Sequence, residues 1–187
     1  MLIQMKKLVG TQLFGRLRGK TDYAKICHEL AAARPGEIVL LDFTGVSLIA
    51  GSWVNTMLVP LYRRVAEDQI DLFLVLTNID ENCVDDLVLV ADWNHQCYLH
   101  LKDAGNKPDK ADLIGSLDSV QAETLKVVLE YCEVTGAQLE ELRSQDKVKA
   151  TAWNNRLKDL YKKRLLRRRR QGREQFYSPV VKEIVYG

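Results

Sequence analysis

The sequence predicts an α/β domain followed by a smaller, mainly helical domain that closes on a basic hairpin. Three observations carry this. Short apolar runs of strand length alternate with amphipathic stretches as far as residue 102. A segment without apolar period, "KDAGNKPDKADLIGS" (102–116), then reads as a loop or linker. Beyond it the period becomes helical and ends on "RLLRRRRQGREQF" (164–176), six arginines around one glycine. The expected division is a first domain over 1–102, a linker over 103–116 and a second domain over 117–187.

Each element has its own signal. "LIQMKKLV" (2–9) and "TQLFGRL" (11–17) suggest an N-terminal hairpin about Gly10. "TDYAKICHELAAA" (21–33) places Tyr23, Ile26, Cys27 and Leu30 at helical spacing behind Thr21 as its cap, and "RPG" stops it. "EIVLLDF" (37–43) and "DLFLVLTN" (71–78) are continuous apolar runs, the pattern of strands buried on both faces. Between them "SWVNTMLVPLYRRVAED" (52–68) reads as a helix that Pro60 kinks or breaks early. "DENCVDDLVLVADW" (80–93) is a further helix and "QCYLHLK" (96–102) a final strand. In the second domain, "SLDSVQAETLKVVLEYCEV" (116–134) places Val120, Leu125, Val128, Leu129 and Cys132 on one face. "TGAQLEELRSQ" (135–145) is a short helix, and "KATAWNNRLKDLYKKRLL" (149–166) a third with Trp153, Leu157 and Leu160 inward. The basic run then forms two strands about Gln171–Gly172.

Composition narrows the function. With 187 residues, 47% hydrophobic and 28% charged, the chain has the balance of a globular protein with a sizeable core. No apolar stretch reaches the roughly 18–20 residues that cross a bilayer. The N-terminus lacks the cleavage site of a signal peptide. Cys27, Cys83, Cys97 and Cys132 are scattered and form no CxxC pair, so they read as free thiols in a reducing cytoplasm. The net charge of +2 hides an asymmetry: residues 143–187 hold fourteen Lys/Arg against four Asp/Glu, leaving thirteen against twenty-one before them. A basic module joined to an acidic one points to a polyanionic partner.

A run of arginines alone fits a solvated tail, a nuclear address, an RNA-binding arm or a hairpin. "LL" before it and "FY" after it favour the hairpin, because a free tail needs no apolar anchors. With the preceding helices, the pieces "TGAQLEEL", "NNRLKDLYKKRLL", "QGR" and "FYSP" over about residues 117–181 resemble the winged helix-turn-helix domains of bacterial transcriptional regulators. Arg164 departs from that pattern, standing where a turn glycine is common. The resemblance implies double-stranded DNA as partner, a third helix in the major groove and a wing beside it. The expected DNA-binding residues are Lys149, Thr151, Asn154, Asn155, Lys158 and Lys162 with Arg168, Arg170 and Arg173. Asn can pair with adenine in two places, and Lys and Arg reach guanine or phosphate.

"VLLDFTGVSLIAGSWVNTMLVPLYRRV" (39–65) resembles STAS-like domains, an uncharacterised bacterial subgroup related to the anti-sigma-factor antagonists, through "LDFTGV" and the Ser52–Trp53 pair. In the phosphorylated antagonists the loop reads Asp-Ser-Ser-Gly. Here Ala50 and Gly51 stand for its aspartate and acceptor serine, so the resemblance implies a partner-binding or dimerising module rather than a phosphorylation switch. Ser52 is a helix N-cap on its position, or a modification or partner site on the resemblance.

Catalysis is not expected: no Gly-rich phosphate loop, nucleophile elbow or H-E-x-x-H occurs. Asp85 and Asp86 read as solvated. His95 and Cys97 alternate away from His100, so no metal site is expected, and no cofactor. The expectation is a cytoplasmic, homodimeric DNA-binding transcription regulator, with a further protein partner open to the first domain. The rival is an antagonist-like signalling module whose basic domain docks on an acidic protein or RNA.

Overall fold

The computed structural model describes residues 1–67, 71–102 and 109–186. Two compact units emerge. The first comprises Met1–Ser116 together with the C-terminal residues from Ile184, and the second is Leu117–Glu183.

The first unit is mixed α/β around a mainly parallel sheet. Its elements are β1 (Leu2–Gln4), α1 (Met5–Val9), β2 (Gln12–Leu13), α2 (Arg16–Leu30), β3 (Ile38–Asp42), β4 (Leu48–Ile49), α3 (Gly51–Val54), α4 (Leu58–Glu67), β5 (Phe73–Thr77), α5 (Val84–Trp93), β6 (Tyr98–Leu101) and β7 (Lys110–Ile114). The C-terminal β10 (Glu183–Val185) completes a six-stranded sheet in the order β1-β3-β5-β6-β7-β10. Neighbours from β1 to β6 pair parallel, and β7 runs antiparallel to β6. Because the parallel strands follow one another in chain order, right-handed crossovers carry every connecting helix to the same face. The core reflects this. Val39, Leu41, Leu74, Leu76 and Tyr98 share a hydrophobic cluster with Ile26, Trp53, Leu58, Leu61 and Leu87 from the helices.

Several local expectations are corrected. No hairpin forms about Gly10. Met5 and Val9, four apart, bury one side of α1, which ends at Gly10 (φ 94), and β1 pairs parallel with β3 instead. Helix α2 starts at Arg16, five residues before the expected cap, and the Thr21 hydroxyl donates back to the Leu17 carbonyl. Of the two continuous apolar runs, only β5 is buried throughout. Strand β3 alternates between buried and half-buried, its buried Val39 and Leu41 facing the helices. The helix expected over 52–68 breaks at residues 55–57. Pro60 then falls in the first turn of α4, where its missing N–H costs nothing. Part of the expected linker is the strand β7, while residues 103–108 lie outside the described residues.

The second unit comprises α6 (Ser119–Tyr131), α7 (Gly136–Leu142), α8 (Ala150–Lys162) and the antiparallel hairpin of β8 (Leu166–Gln171) and β9 (Glu174–Pro179). Capping boxes open the first two helices: Asp118 with Gln121, and Thr135 with Gln138. Between α6 and α7, Val134 bridges Tyr177 of β9, adding a one-residue third strand to the hairpin. Leu125, Val128, Leu139, Trp153, Leu157 and Leu160 are fully buried. Val120 and Cys132, expected on the buried face of α6, are exposed, and Thr124 and Val127 take their place.

Arg164 explains its departure from pattern. It has φ 60, the left-handed conformation a helix-ending glycine supplies. Its N–H donates to the Tyr161 carbonyl and that of Leu165 to the Leu160 carbonyl, the two bonds of a Schellman cap. The side chain is buried with its guanidinium 4.9 Å from the Tyr161 ring centroid.

Candidate nucleic-acid interface

Helix α8 is amphipathic in the sense its sequence demands. Trp153, Leu157 and Leu160 face inward, so Thr151, Asn155, Lys158 and Lys162, at i, i+4, i+7 and i+11, share the opposite, exposed side. Lys149 caps the helix through its backbone only. The missing cap is supplied from α7: the Glu140 carboxylate accepts the Ala150 N–H at 2.8 Å and pairs with Lys149 at 3.2 Å. These bonds, the backbone one first, hold the Glu140 carboxyl below its usual range. Asn154 turns toward α7 and packs on Gly136. A Cβ at Gly136 would lie 2.5 Å from Asn154 Oδ1 and 2.7 Å from the Ala150 carbonyl oxygen. The small residue sets how closely α7 and α8 approach.

The arginines of the hairpin divide by register. Arg168 stands opposite the buried Tyr177, half-buried, with its guanidinium 4.4 Å from the Tyr161 ring centroid. It therefore ties the hairpin to α8. Arg169, opposite Phe176, stacks on that ring at 4.6 Å and forms a fork with Glu133 at 2.9 and 3.3 Å. Arg170 is exposed and donates to the Gly172 carbonyl at 3.1 Å. Gln171 pairs with Glu174, leaving Gly172 (φ 61) and Arg173 as a two-residue turn with glycine first. Arg173 is exposed at the tip.

Of the expected site residues, the structure brings Asn154 and Arg173 to one cleft of about 340 Å³. Residues 135–137 and residues 174 and 175 complete its lining. Thr151, Asn155, Lys158 and Lys162 lie along α8, and Lys162 pairs loosely with Asp159 at 3.7 Å. Glu140 and Gly136 escaped the sequence reading. Their roles arise between helices, and only the Thr135–Gln138 capping box hinted that α7 begins there.

Ser52, the remaining expected site, is not an N-cap. Ala50 holds that position, and the Ser52 hydroxyl accepts the Gly15 N–H at 3.1 Å, tying α3 to the start of α2. Asp85 and Asp86 are exposed, as expected, and Asp86 in addition accepts the Gly51 N–H at 2.7 Å. Asp22, on the buried side of α2, accepts the Trp53 indole N–H at 3.0 Å and pairs with Lys25 at 3.3 Å and Arg18 at 3.5 Å. His95 ends α5 in the left-handed conformation (φ 54), Cys97 donates to the Ser116 carbonyl at 3.3 Å, and His100 is buried on β6. No group of three or more metal-ligating side chains occurs among the described residues, and no described helix is long and apolar enough to cross a membrane.

Comparison with protein-family models, curated proteins and solved structures finds no match in any of the three.

Proposed function

We propose that the chain is a DNA-binding transcription regulator whose second unit is a winged helix-turn-helix domain. The observation that carries this reading is the alignment of Thr151, Asn155, Lys158 and Lys162 on the solvent side of α8, with Arg173 of the hairpin turn in one cleft with that helix's Asn154. The order of elements supports it: three helices, then a basic hairpin with a short bridge between the first two. On this reading α8 enters the major groove, where Asn155 and Lys158 meet base edges. Arg170 and Arg173 hold phosphate or the minor groove. Arg168 and Arg169 are withdrawn from that role, the first into packing on Tyr161 and the second into its pair with Glu133. The first unit, read as STAS-like, supplies protein contacts, and Ser52 serves there as a brace between α3 and α2.

The test is electrophoretic retardation of a random-sequence duplex pool at low salt, followed by selection. Retarded duplex, an enriched motif and loss of that motif's preference in Asn155→Ala support the reading. Absence of retardation at low salt, or retardation of RNA alone, overturns it.

A further inference from the structure

The helical face of the first unit leaves large apolar side chains in water. On one side of α3, where α2 begins, stand Leu17, 81% exposed, and Phe14, 50% exposed. On the other side, on the solvent face of α5, stand Leu89, 68% exposed, and Trp93, 86% exposed. The bonds around α3 tie these two ridges together. Gly15, beside Phe14, donates to Ser52 of α3, and Gly51 of α3 donates to Asp86 of α5. At the far end Asn94, after α5, donates to Asn55 at 3.2 Å. Ser52 and Asn55, both exposed, lie between the ridges.

Charge distinguishes the ridges. Arg16 and Lys20 flank Leu17 one turn apart, both exposed. Asp85 and Asp92 flank Leu89 on α5, both exposed. One ridge is thus apolar and cationic and the other apolar and anionic, on a single face. A surface that carries both halves of a complementary pair is matched by its own copy turned through a two-fold axis. The basic ridge of each protomer then meets the acidic ridge of the other, and the contact closes as a pair rather than growing into a fibre. Like ridges stacked on themselves would oppose equal charges, which fixes the orientation.

We propose that this face of the first unit, with α3 at its centre, is an isologous dimer interface whose occupant is a second copy of the chain. The pairing buries Leu17 and Trp93 and matches Arg16 and Lys20 to Asp85 and Asp92. It rests on the first unit alone and does not require the DNA-binding reading. Were that reading correct, the dimer would present two helices α8 to two half-sites.

The experiment uses the full chain and two variants. Arg16→Glu/Lys20→Glu makes both ridges acidic, and Asp85→Lys/Asp92→Lys makes both basic. Light-scattering mass during gel filtration reads the assembly, with circular-dichroism melts as the check on folding. The wild type is expected at twice the 21.3 kDa of one chain. Each variant alone should associate at least about a hundredfold more weakly, because four like charges then face each other. Mixed in equal amounts, the two variants should recover a dimer, since every ridge again meets its opposite. A misfolded variant cannot give that recovery. Should either variant melt like an unfolded chain, Leu17→Glu and Trp93→Glu, at side chains almost wholly in water, replace the pair and are expected to be monomeric. A monomeric wild type at high concentration, dimers from either single variant, a mixture that stays monomeric, or unchanged mass in Leu17→Glu and Trp93→Glu would overturn the proposal. A wild-type monomer captured instead by another protein through this face would overturn it equally.

Discussion

Gly136→Ala probes the joint between α7 and α8 more sharply than any charge reversal. The added methyl would lie 2.5 Å from Asn154 Oδ1, 2.6 Å from Asn154 Cγ and 2.7 Å from the Ala150 carbonyl oxygen. Asn154 is exposed and can rotate away. The carbonyl cannot, because it belongs to the first turn of α8, whose Ala150 N–H is held by Glu140. Restoring an ordinary contact requires the helices to part by about 0.7 Å, and overpacking of this kind costs roughly 1–3 kcal/mol. The gain from replacing a helical glycine by alanine is smaller at the first position of α7, so a net loss of about 1–2 kcal/mol is expected. In a unit of this size that lowers the melting temperature by roughly 5–15 °C. Urea melts of wild type and variant in a Trp93→Phe background, followed through tryptophan fluorescence and far-ultraviolet circular dichroism together, give the number. Asn154→Ala added to Gly136→Ala should recover only part of it, because the carbonyl clash remains. If Gly136→Ala were neutral to within about 0.3 kcal/mol, close helix approach at Gly136 would not be what sets the α7–α8 geometry.

Other consequences concern the first unit. Ser52→Ala removes the acceptor of the Gly15 N–H and should cost about 0.5–1.5 kcal/mol in denaturant melts; no loss would return Ser52 to the role of a mere surface residue. Trp53→Phe strands the buried Asp22 carboxylate without its indole donor, and a loss of about 1–3 kcal/mol is expected. His100 has its pKa lowered by burial, against the pull of Asp112. Its folded state therefore resists protonation, so stability is full above the unfolded pKa near about 6.5 and declines as pH falls below it. Urea midpoints at pH 7.5, 6.5 and 5.5 should fall in the wild type and stay flatter over that window in His100→Gln; equal slopes would remove His100 as the cause.

The parts of the fold that were legible in sequence are those with a local signature. The i, i+4, i+7 row of Trp153, Leu157 and Leu160 lies within a few residues, and so does the glycine turn, expected at Gln171–Gly172 and found one residue later at Gly172–Arg173. Arg164 was legible as a position that wants glycine, and its φ of 60 bears out the backbone demand even though another residue meets it. What escaped depends on partners far along the chain. "LIQMKKLV" is apolar enough for a strand or a helix, and its pairing with β3, nearly forty residues away, decides where the strand stops. The linker composition of 102–116 concealed β7, because Lys110 and Asp112 interrupt its apolar pattern, and Asp112 is accommodated by Lys102, which follows the neighbouring β6 and pairs with it at 2.8 Å. Among the site residues, exposure along α8 followed from periodicity. The division of the arginines did not, because alternation shows which side chains share a face and not which face holds Tyr161. Glu140, Asp86 and Asp22 look like solvated acids in sequence, and each is claimed by a donor from another element.

The most direct test of the DNA-binding account is the salt dependence of binding to a labelled duplex, read by fluorescence anisotropy. If Lys158, Lys162, Arg170 and Arg173 each displace one counterion, the logarithmic slope is about −3.6, a loss of roughly 150-fold between 50 and 200 mM salt. Arg170→Ala/Arg173→Ala should halve the slope to about −1.8, a loss of roughly 12-fold, whereas Arg169→Ala, whose charge is engaged by Glu133, should leave it near the wild-type value. A chain that does not bind duplex at 50 mM salt, or a slope that the Arg170/Arg173 variant leaves unchanged, would contradict the account.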